Sequence, residues 1–360
     1  MKKIAFPLMG DYDVAINYFF KHITDVEIIT PPKITSKTIE IGNKYSPEFV
    51  CTPFKYTLGT LIECLEKDAN VLIQAGGGCR YGYYFELQEK ILRDLGYKFT
   101  MVNFVTEGKT DFKRLKKEYL KIDKHPKIFK LIKYGLITRY MIKYMDKIDE
   151  YIRENIGFEI SKNSFINKKK EIHKKFSKVK NIFELKRVYK KGLKELKQIK
   201  INKPKNHLKV GIIGELYTIM EPFSNYFLEM ELAKNNIEIK RFTNVEYLLF
   251  QKKNKIKKYK KQVKKIAKYQ MGADALDNVA RCKYLCVNKY DGIIHIKSSF
   301  CTPEIGVMPI INKVAHQYNV PILFFSFDAN TSEIGIKTRL EAFYDMLEMR
   351  KDNEKVLSRN

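Results

Sequence analysis

Apolar residues along this chain alternate between two spacings, and the changes of spacing mark its elements. Short continuous apolar runs at 3–9, 26–30, 71–73 and 98–104 have the length of buried strands. Between them apolar residues recur three and four apart, as Val14, Ile16, Phe19, Phe20 and Ile23 do in the first interval. Further helices are expected over 36–44, in the interval after Cys51, and over 85–95, the last stopped by Gly96. This β-α-β-α-β-α-β order predicts a parallel sheet covered by helices.

From Asp111 to about residue 200 the character changes. LKKEYLKI and LIKYGLITRYMIKYMDKI keep helical spacing with few glycines and almost no strand signal, up to Pro204. No heptad seam persists long enough to make a coiled coil of it. At Leu208 the α/β pattern restarts: LKVGIIGEL is a strand with its glycine turn, and EPFSNYFLEMELAKNN is a helix. Strands are expected at 238–242, 290–296 and 321–327, and helices at 252–268 (strongly basic), 273–287, 304–318 and 337–350. The expected organisation is an α/β domain over 1–108, a Lys-rich helical insertion over 109–206, and a second α/β domain over 207–360.

The stretch 45–84, YSPEFVCTPFKYTLGTLIECLEKDANVLIQAGGGCRYGYY, is the centre of this plan. It reads as a turn with a cysteine, an amphipathic helix, an apolar strand, then Gly76-Gly77-Gly78 and a second cysteine. Cys79 therefore stands at the C-terminal end of a strand, the rim where open α/β sheets bind ligands. Glycines there let the backbone come close to something bulky. Cys51 lies in a turn held by Pro47 and Pro53, so two turns could converge on one ligand. The second half repeats the outline, with a strand leading into Phe300-Cys301.

Composition narrows the function classes. With 360 residues, 44% of them hydrophobic, the chain has material for two cores. No apolar run reaches the roughly 18 residues of a membrane span. Pro7 and Asp11 interrupt the N-terminal apolar piece before a secretory segment could form. A cytoplasmic protein with no membrane partner is expected. Six cysteines are too sparse for a disulfide scaffold, which leaves free thiols or metal ligands. The net charge of +27 would normally point to a polyanion. Its lysines, however, crowd 109–205 and 252–268, whereas the surroundings of Cys51, Cys79 and Cys301 are nearly balanced. Such a coat gives a long-range field without readout, so nucleic acid is not the expected partner.

Cys51, Cys79 and Cys301 sit in turns beside Pro or Gly. Cys64, Cys282 and Cys286 fall on expected helices, where the commoner role is a small buried apolar residue. Cys282 and Cys286 are four apart and share a helix face, which keeps ligation open for them. There is no Cys-x-x-Cys and no closely spaced Cys/His set, so a structural zinc site has little support. Three turn thiolates leave one coordination position open, an arrangement that suits an iron–sulfur cluster with an exchangeable iron. A cysteine nucleophile would need a base, and nothing in the sequence places His22, His295 or His316 beside one; a lone His near a strand reads as a hydrogen-bonded core residue. AGGGCR lacks the Lys-Ser/Thr ending of a phosphate loop, and LKVGIIGEL lacks the third glycine of a dinucleotide fingerprint, so no ATP site of these kinds is expected.

Four blocks, TPFKYTLGTLIECLEKDANVLIQAGGGCRYGYYFELQEKILRDLGY, GELYTIMEPFSNYFLEMELA, SSFCTPEIGVMPII and TSEIGIKTRLEAFYDML, resemble in order the family of 2-hydroxyacyl-CoA dehydratase and benzoyl-CoA reductase components. The likeness is greatest to its CoA activase-related branch, near the double-cubane-cluster proteins. It covers both α/β halves and is weak over 111–206 and the basic helix. The resemblance implies two Rossmann-like (flavodoxin-like) parallel-sheet domains with a helical part. It also implies an oxygen-sensitive iron–sulfur cluster that receives low-potential electrons from a separate ATP-hydrolysing iron–sulfur activator. The family's cysteine turns fall on Cys51, Cys79 and Cys301, the implied cofactor and metal ligands of a [4Fe-4S] cluster. If Cys64, Cys282 and Cys286 also ligate, six cysteines suffice for a double cubane. The activator's nucleotide motifs have no match, so this chain is the expected electron acceptor. A homodimer, or a pairing with a similar subunit, acting on an acyl-CoA is implied.

The expected function is thus dehydratase-like or reductase-like: a cluster held by three thiolates takes up an electron and passes it to a bound thioester or another hard-to-reduce substrate. The alternative is a non-catalytic iron–sulfur or metal-binding accessory protein of such a system. Five further residues are weighed against plainer roles. Arg80 and Tyr81 flank Cys79 and could donate to cluster sulfides, or simply face solvent. Glu215 and Glu221 follow a strand, as proton donors or as acids in a helix's first turn. Asp328 stands at a strand's ligand-binding end, where Asp also commonly caps the next helix.

Overall fold

A computed structural model describes residues 1–105, 112–251, 257–269 and 271–357. The chain folds as two compact units, residues 1–142 with 179–182, and residues 143–178 with 183–360. The expected boundary at 108/109 and the start of the basic helix at 252–256 lie outside the described residues.

The first unit holds β1 (Lys3–Ala5), α1 (Asp13–Ile23), β2 (Glu27–Ile28), α2 (Ser36–Tyr45), α3 (Thr52–Leu65), β3 (Val71–Gln74), α4 (Tyr84–Asp94) and β4 (Thr100–Asn103). Its four strands are all parallel in the order β2-β1-β3-β4. Helices cover both faces, which is why β3 reads as a continuous apolar run instead of an alternating one. Leu72 packs with Phe54, Leu58 and Leu61 of α3, whereas Val71 and Ile73 face Phe20 and Ile23 of α1. The run 3–9 yields only three strand residues. Pro7 lacks a ladder donor and Gly10 takes φ 54°, so the chain leaves the sheet while Phe6 and Leu8 remain buried. β2 is likewise a two-residue edge before Pro31-Pro32.

Four helices fill the Lys-rich stretch: α5 (Phe112–Leu120), α6 (Ile128–Asn155), α7 (Ser164–Phe176) and α8 (Ile182–Lys197). The 28-residue α6 starts in the first unit and ends in the second.

The second unit continues with β5 (Leu208–Gly214), α9 (Leu216–Met220), α10 (Leu228–Lys234), β6 (Ile237–Arg241), α11 (Lys257–Val263), α12 (Ala275–Val287), β7 (Gly292–Ser298), α13 (Thr302–Gln317), β8 (Ile322–Phe327) and α14 (Glu333–Leu357). Its strands are also all parallel, in the order β6-β5-β7-β8. Ile213 and Ile293 pack against α12 and α13 through Val279, Leu285, Val307 and Ile311. The two sheets thus carry the same strand order, that of the first four strands of a flavodoxin-like sheet. In each, the order reverses between the first and third strands, so the loops leaving those strands flank the crevice where such sheets bind ligands. The fold is α/β with two parallel-sheet domains and a helical segment, as the sequence predicts.

Candidate functional site

In the first unit, Cys51 is the N-cap of α3, in extended backbone (φ −65°, ψ 146°), with Pro53 in the first turn. Proline is at home there because its missing N–H would have had no helical partner. The Cys51 Sγ lies 2.5 Å from the Tyr84 hydroxyl. Tyr84, the first residue of α4, is only 2% exposed. Cys79 precedes a short 3-10 turn, Arg80–Tyr83, and its Sγ accepts the Tyr81 backbone N–H at 3.5 Å. The rings of Tyr81 and Tyr84 stack with centroids 4.2 Å apart, so one aromatic pair joins the two cysteine turns.

Beneath this rim lies a buried amide network. Gln74, at the end of β3, donates to Gln88 Oε1 of α4 at 2.6 Å, and Gln88 donates to Thr57 Oγ1 of α3 at 2.7 Å and to Phe54 O at 3.2 Å. It fixes α3 and α4, which carry Cys51 and Tyr84, to the strand that leads to Cys79. None of Gly76, Gly77 and Gly78 takes positive φ. A Cβ at Gly77 would press on Tyr81 at 3.1 Å, while one at Gly78 would meet nothing within 4 Å.

In the second unit, Cys301 is the N-cap of α13, again followed by Thr and Pro. It leaves β7, which holds in its sheet the place β3 holds in the first. Its backbone N–H donates to Ser298 O at 3.0 Å. Under this turn, His295 Nε2 of β7 pairs with Glu304 Oε2 of α13 at 2.8 Å, and Asn278 of α12 donates to Glu304 Oε1 at 2.9 Å and to Gly214 O at 3.0 Å. Lys297 is 4% exposed on the same strand; burial lowers its amine below the ordinary lysine range, against the pull of Cys301 and Glu304.

Cys64, Cys282 and Cys286 are at most 5% exposed and lie in the hydrophobic cores. Burial pushes the Cys64 thiol up to about 12. Its bond to Cys286, and then burial, raise the Cys282 thiol. The same bond lowers the Cys286 thiol, and all three side chains pack in the hydrophobic cores of their units. Glu215 is the N-cap of α9, accepting from Tyr217 N at 2.8 Å and Thr218 N at 2.9 Å, and burial raises its carboxyl. Glu221 accepts from Phe223 N at 3.2 Å. Asp328 organises its own loop and accepts from Ser299 Oγ, in the Cys301 turn, at 3.0 Å. Arg80 is exposed. His22 bonds Tyr18 O at 2.8 Å, His295 is bound to Glu304, and His316 is exposed.

The three half-buried thiols share a chemistry that fits a thiolate-ligated iron–sulfur group. Each begins a helical turn, where backbone N–H groups and the positive end of the helix favour an anion. Cys51 and Cys79 sit against hydrogen-bond partners. Among the described residues, no three His, Cys, Asp or Glu side chains form a group arranged to hold a metal ion. Cys51 and Cys79 belong to the first unit and Cys301 to the second. Sequence reading missed Tyr84 and the two buried polar networks. The repeat of Cys-Thr-Pro at 51–53 and 301–303 was the available signal that two of the cysteines are helix caps.

No curated protein matches this chain. The model of the 2-hydroxyglutaryl-CoA dehydratase D-component family matches residues 22–347, nearly its whole length, and the chain belongs to that family.

Proposed function

We propose that this protein is the iron–sulfur component of an ATP-dependent two-component system, accepting low-potential electrons from a separate activator to reduce or dehydrate a substrate, most simply an acyl-CoA. The observation that carries the reading is the presence of three half-buried thiols at helix starts in a member of a dehydratase family. Cys51, Cys79 and Cys301 are its ligands. The bound group would supply one-electron reduction of the substrate.

The chain's own residues do the rest. The helix starts at Cys51 and Cys301 present backbone N–H donors to an anionic sulfur. The Gln74–Gln88–Thr57 and His295–Glu304–Asn278 networks hold the strands and helices that carry those sulfurs. The open space at Gly78 leaves room beside Cys79 for a bulky group. The working assembly is a homodimer or a pair with a similar subunit, in the cytoplasm.

The test is iron and acid-labile sulfide content of protein purified without oxygen, alongside Cys51→Ala, Cys79→Ala and Cys301→Ala. About four irons per chain, lost in each variant, is the expected result for one cubane with an open position. An iron-free wild type after reconstitution overturns the reading. Turnover with activator, ATP and reductant then separates the enzyme from an accessory protein, which would hold iron and turn nothing over.

A further inference from the structure

We infer that Lys297 and the start of α13 form a binding site for a carboxylate group in the second unit. The inference goes beyond the iron–sulfur reading and does not rest on it.

Lys297 is 4% exposed, yet among the described residues its side chain makes no hydrogen bond and no ion pair. A lysine at this depth is ordinarily paired, because a charge without a counterion is costly to take out of water. The acid beside it is already engaged: Glu304 gives one oxygen to His295 at 2.8 Å and the other to Asn278 at 2.9 Å. The Lys297 amine is not one of the fully enclosed polar atoms that lack a partner, so a small group can reach it from solvent.

Two facts place the amine. His295 and Lys297 are two apart on β7, so they project from the same face of the sheet, the face on which His295 reaches α13. The groups whose charge bears on the amine are Cys301, the N-cap of α13, and Glu304 in its first turn. With 16 residues, α13 has a full helix dipole, positive at this end. Ammonium and helix start together make a receptor for a negatively charged oxygen. One ammonium balances one negative charge, and the Glu304 carboxylate repels any further one. A carboxylate therefore suits the site better than a phosphate, which carries more charge at neutral pH.

The experiment uses the full chain freed of metal and reduced. Melting temperatures are compared in acetate, phosphate and chloride of equal ionic strength, with chloride as the reference. Acetate at about three times its Kd is expected to raise the wild-type value by about 2 °C. Lys297→Met is expected to abolish that shift and, having lost a buried charge without a counterion, to melt in chloride at or above the wild type. Lys313→Met, exposed on the same helix, and Cys301→Ala should both keep the acetate shift.

No acetate shift in the wild type, or one that survives Lys297→Met, overturns the inference. A Lys297→Met chain that melts well below the wild type would make the amine a structural partner, and loss of the shift in Cys301→Ala would make it a partner of the sulfur alone; each overturns the site. A Lys297-dependent shift in phosphate equal to or larger than that in acetate overturns the choice of carboxylate. Because the chain is metal-free, these outcomes are separate from the iron content: an iron-free wild type would sink the cluster reading and leave the acetate shift intact.

Discussion

His295 Nε2 and Glu304 Oε2 lie 2.8 Å apart in the core of the second unit, with the two residues 0% and 2% exposed. The pair joins β7 to the first turn of α13, three residues beyond Cys301, and Asn278 of α12 completes it. In the first unit Gln74, Gln88 and Thr57 make the same connection between the third strand and the helices before and after it. His295 Nδ1 is buried without a hydrogen-bond partner, but the bonds that are made tie strand to helix in each unit and so fix one arrangement of strand and helices. Glu304→Leu leaves the histidine's buried Nε2 without its acceptor and is expected to destabilise the second unit by about 3 kcal/mol, within the range for breaking a buried pair. Glu304→Gln, which keeps an acceptor oxygen, is expected to cost roughly half as much. Urea unfolding measures both; equal losses would mean that a single retained acceptor oxygen does not substitute for the carboxylate and would refute the graded expectation.

The cysteines divide by exposure into Cys51, Cys79 and Cys301, which are half-buried, and Cys64, Cys282 and Cys286, which are buried. In the metal-free native chain a thiol reagent such as DTNB is expected to titrate the first set and leave the second until the chain unfolds. Cys64, with its thiol pushed up to about 12, should stay unreacted throughout the physiological range. Cysteine-resolved labelling checks this. Fast reaction at Cys282 would contradict its place in the core.

Gly214 ends β5 at φ 135°, and a Cβ there would stand 1.8 Å from Ile296 O, on the backbone of the neighbouring strand. Neither the dihedral nor the paired strand can yield. Gly214→Ala is expected to cost about 3 kcal/mol or more and to lower soluble yield sharply. Gly78→Ala is the control: with nothing within 4 Å of the added carbon, its change should stay within about 0.5 kcal/mol. Thermal melts of the two variants test the contrast.

Asp13, in the first turn of α1, has its carboxyl raised to about 6 by burial and by Asp11. Because its proton is held more tightly in the folded than in the unfolded chain, stability falls as pH rises from about 4 to 6 and is level above. Asp13→Asn removes this loss. The variant is expected to gain about 1 kcal/mol over wild type at pH 7.5, the shift being discounted for partial exposure, and to match it near pH 4. Urea midpoints at the two pH values check the sign; a gain confined to low pH would refute it.

Much of this architecture is written in hydrophobic spacing. The run at Val71–Ile73, flanked by three-and-four spacing, already states that a strand is covered on both faces, and the same period change at Leu208 announces the second sheet. These are local properties, decided by the geometry of a helix or a strand, and they survive without knowledge of neighbours. The cysteines in turns were legible for the same reason, since Pro and Gly punctuate the chain wherever it folds. Where a strand ends was less legible: Phe6 and Leu8 are apolar and buried, yet Pro7 and Gly10 had already taken the chain out of the ladder.

Partnerships between residues far apart in the chain, by contrast, were set by packing. Nothing around Tyr84 marks it as the partner of Cys51, which lies 33 positions away, because a tyrosine at a helix start is an ordinary residue until α3 is laid beside it. His295 was read as a hydrogen-bonded core residue, but its partner Glu304 could be named only once α13 packed on β7. Glu215 and Asp328, candidates for chemistry by position, turn out to be engaged by backbone N–H groups of their own turns and, for Asp328, by the Ser299 hydroxyl of the Cys301 turn. The elements, their order and the residue types at the rims follow from local spacing and composition alone. Which side chains meet across those rims was decided by packing, because a hydrogen bond of under 3 Å depends on how helices settle on a sheet and not on spacing along the chain.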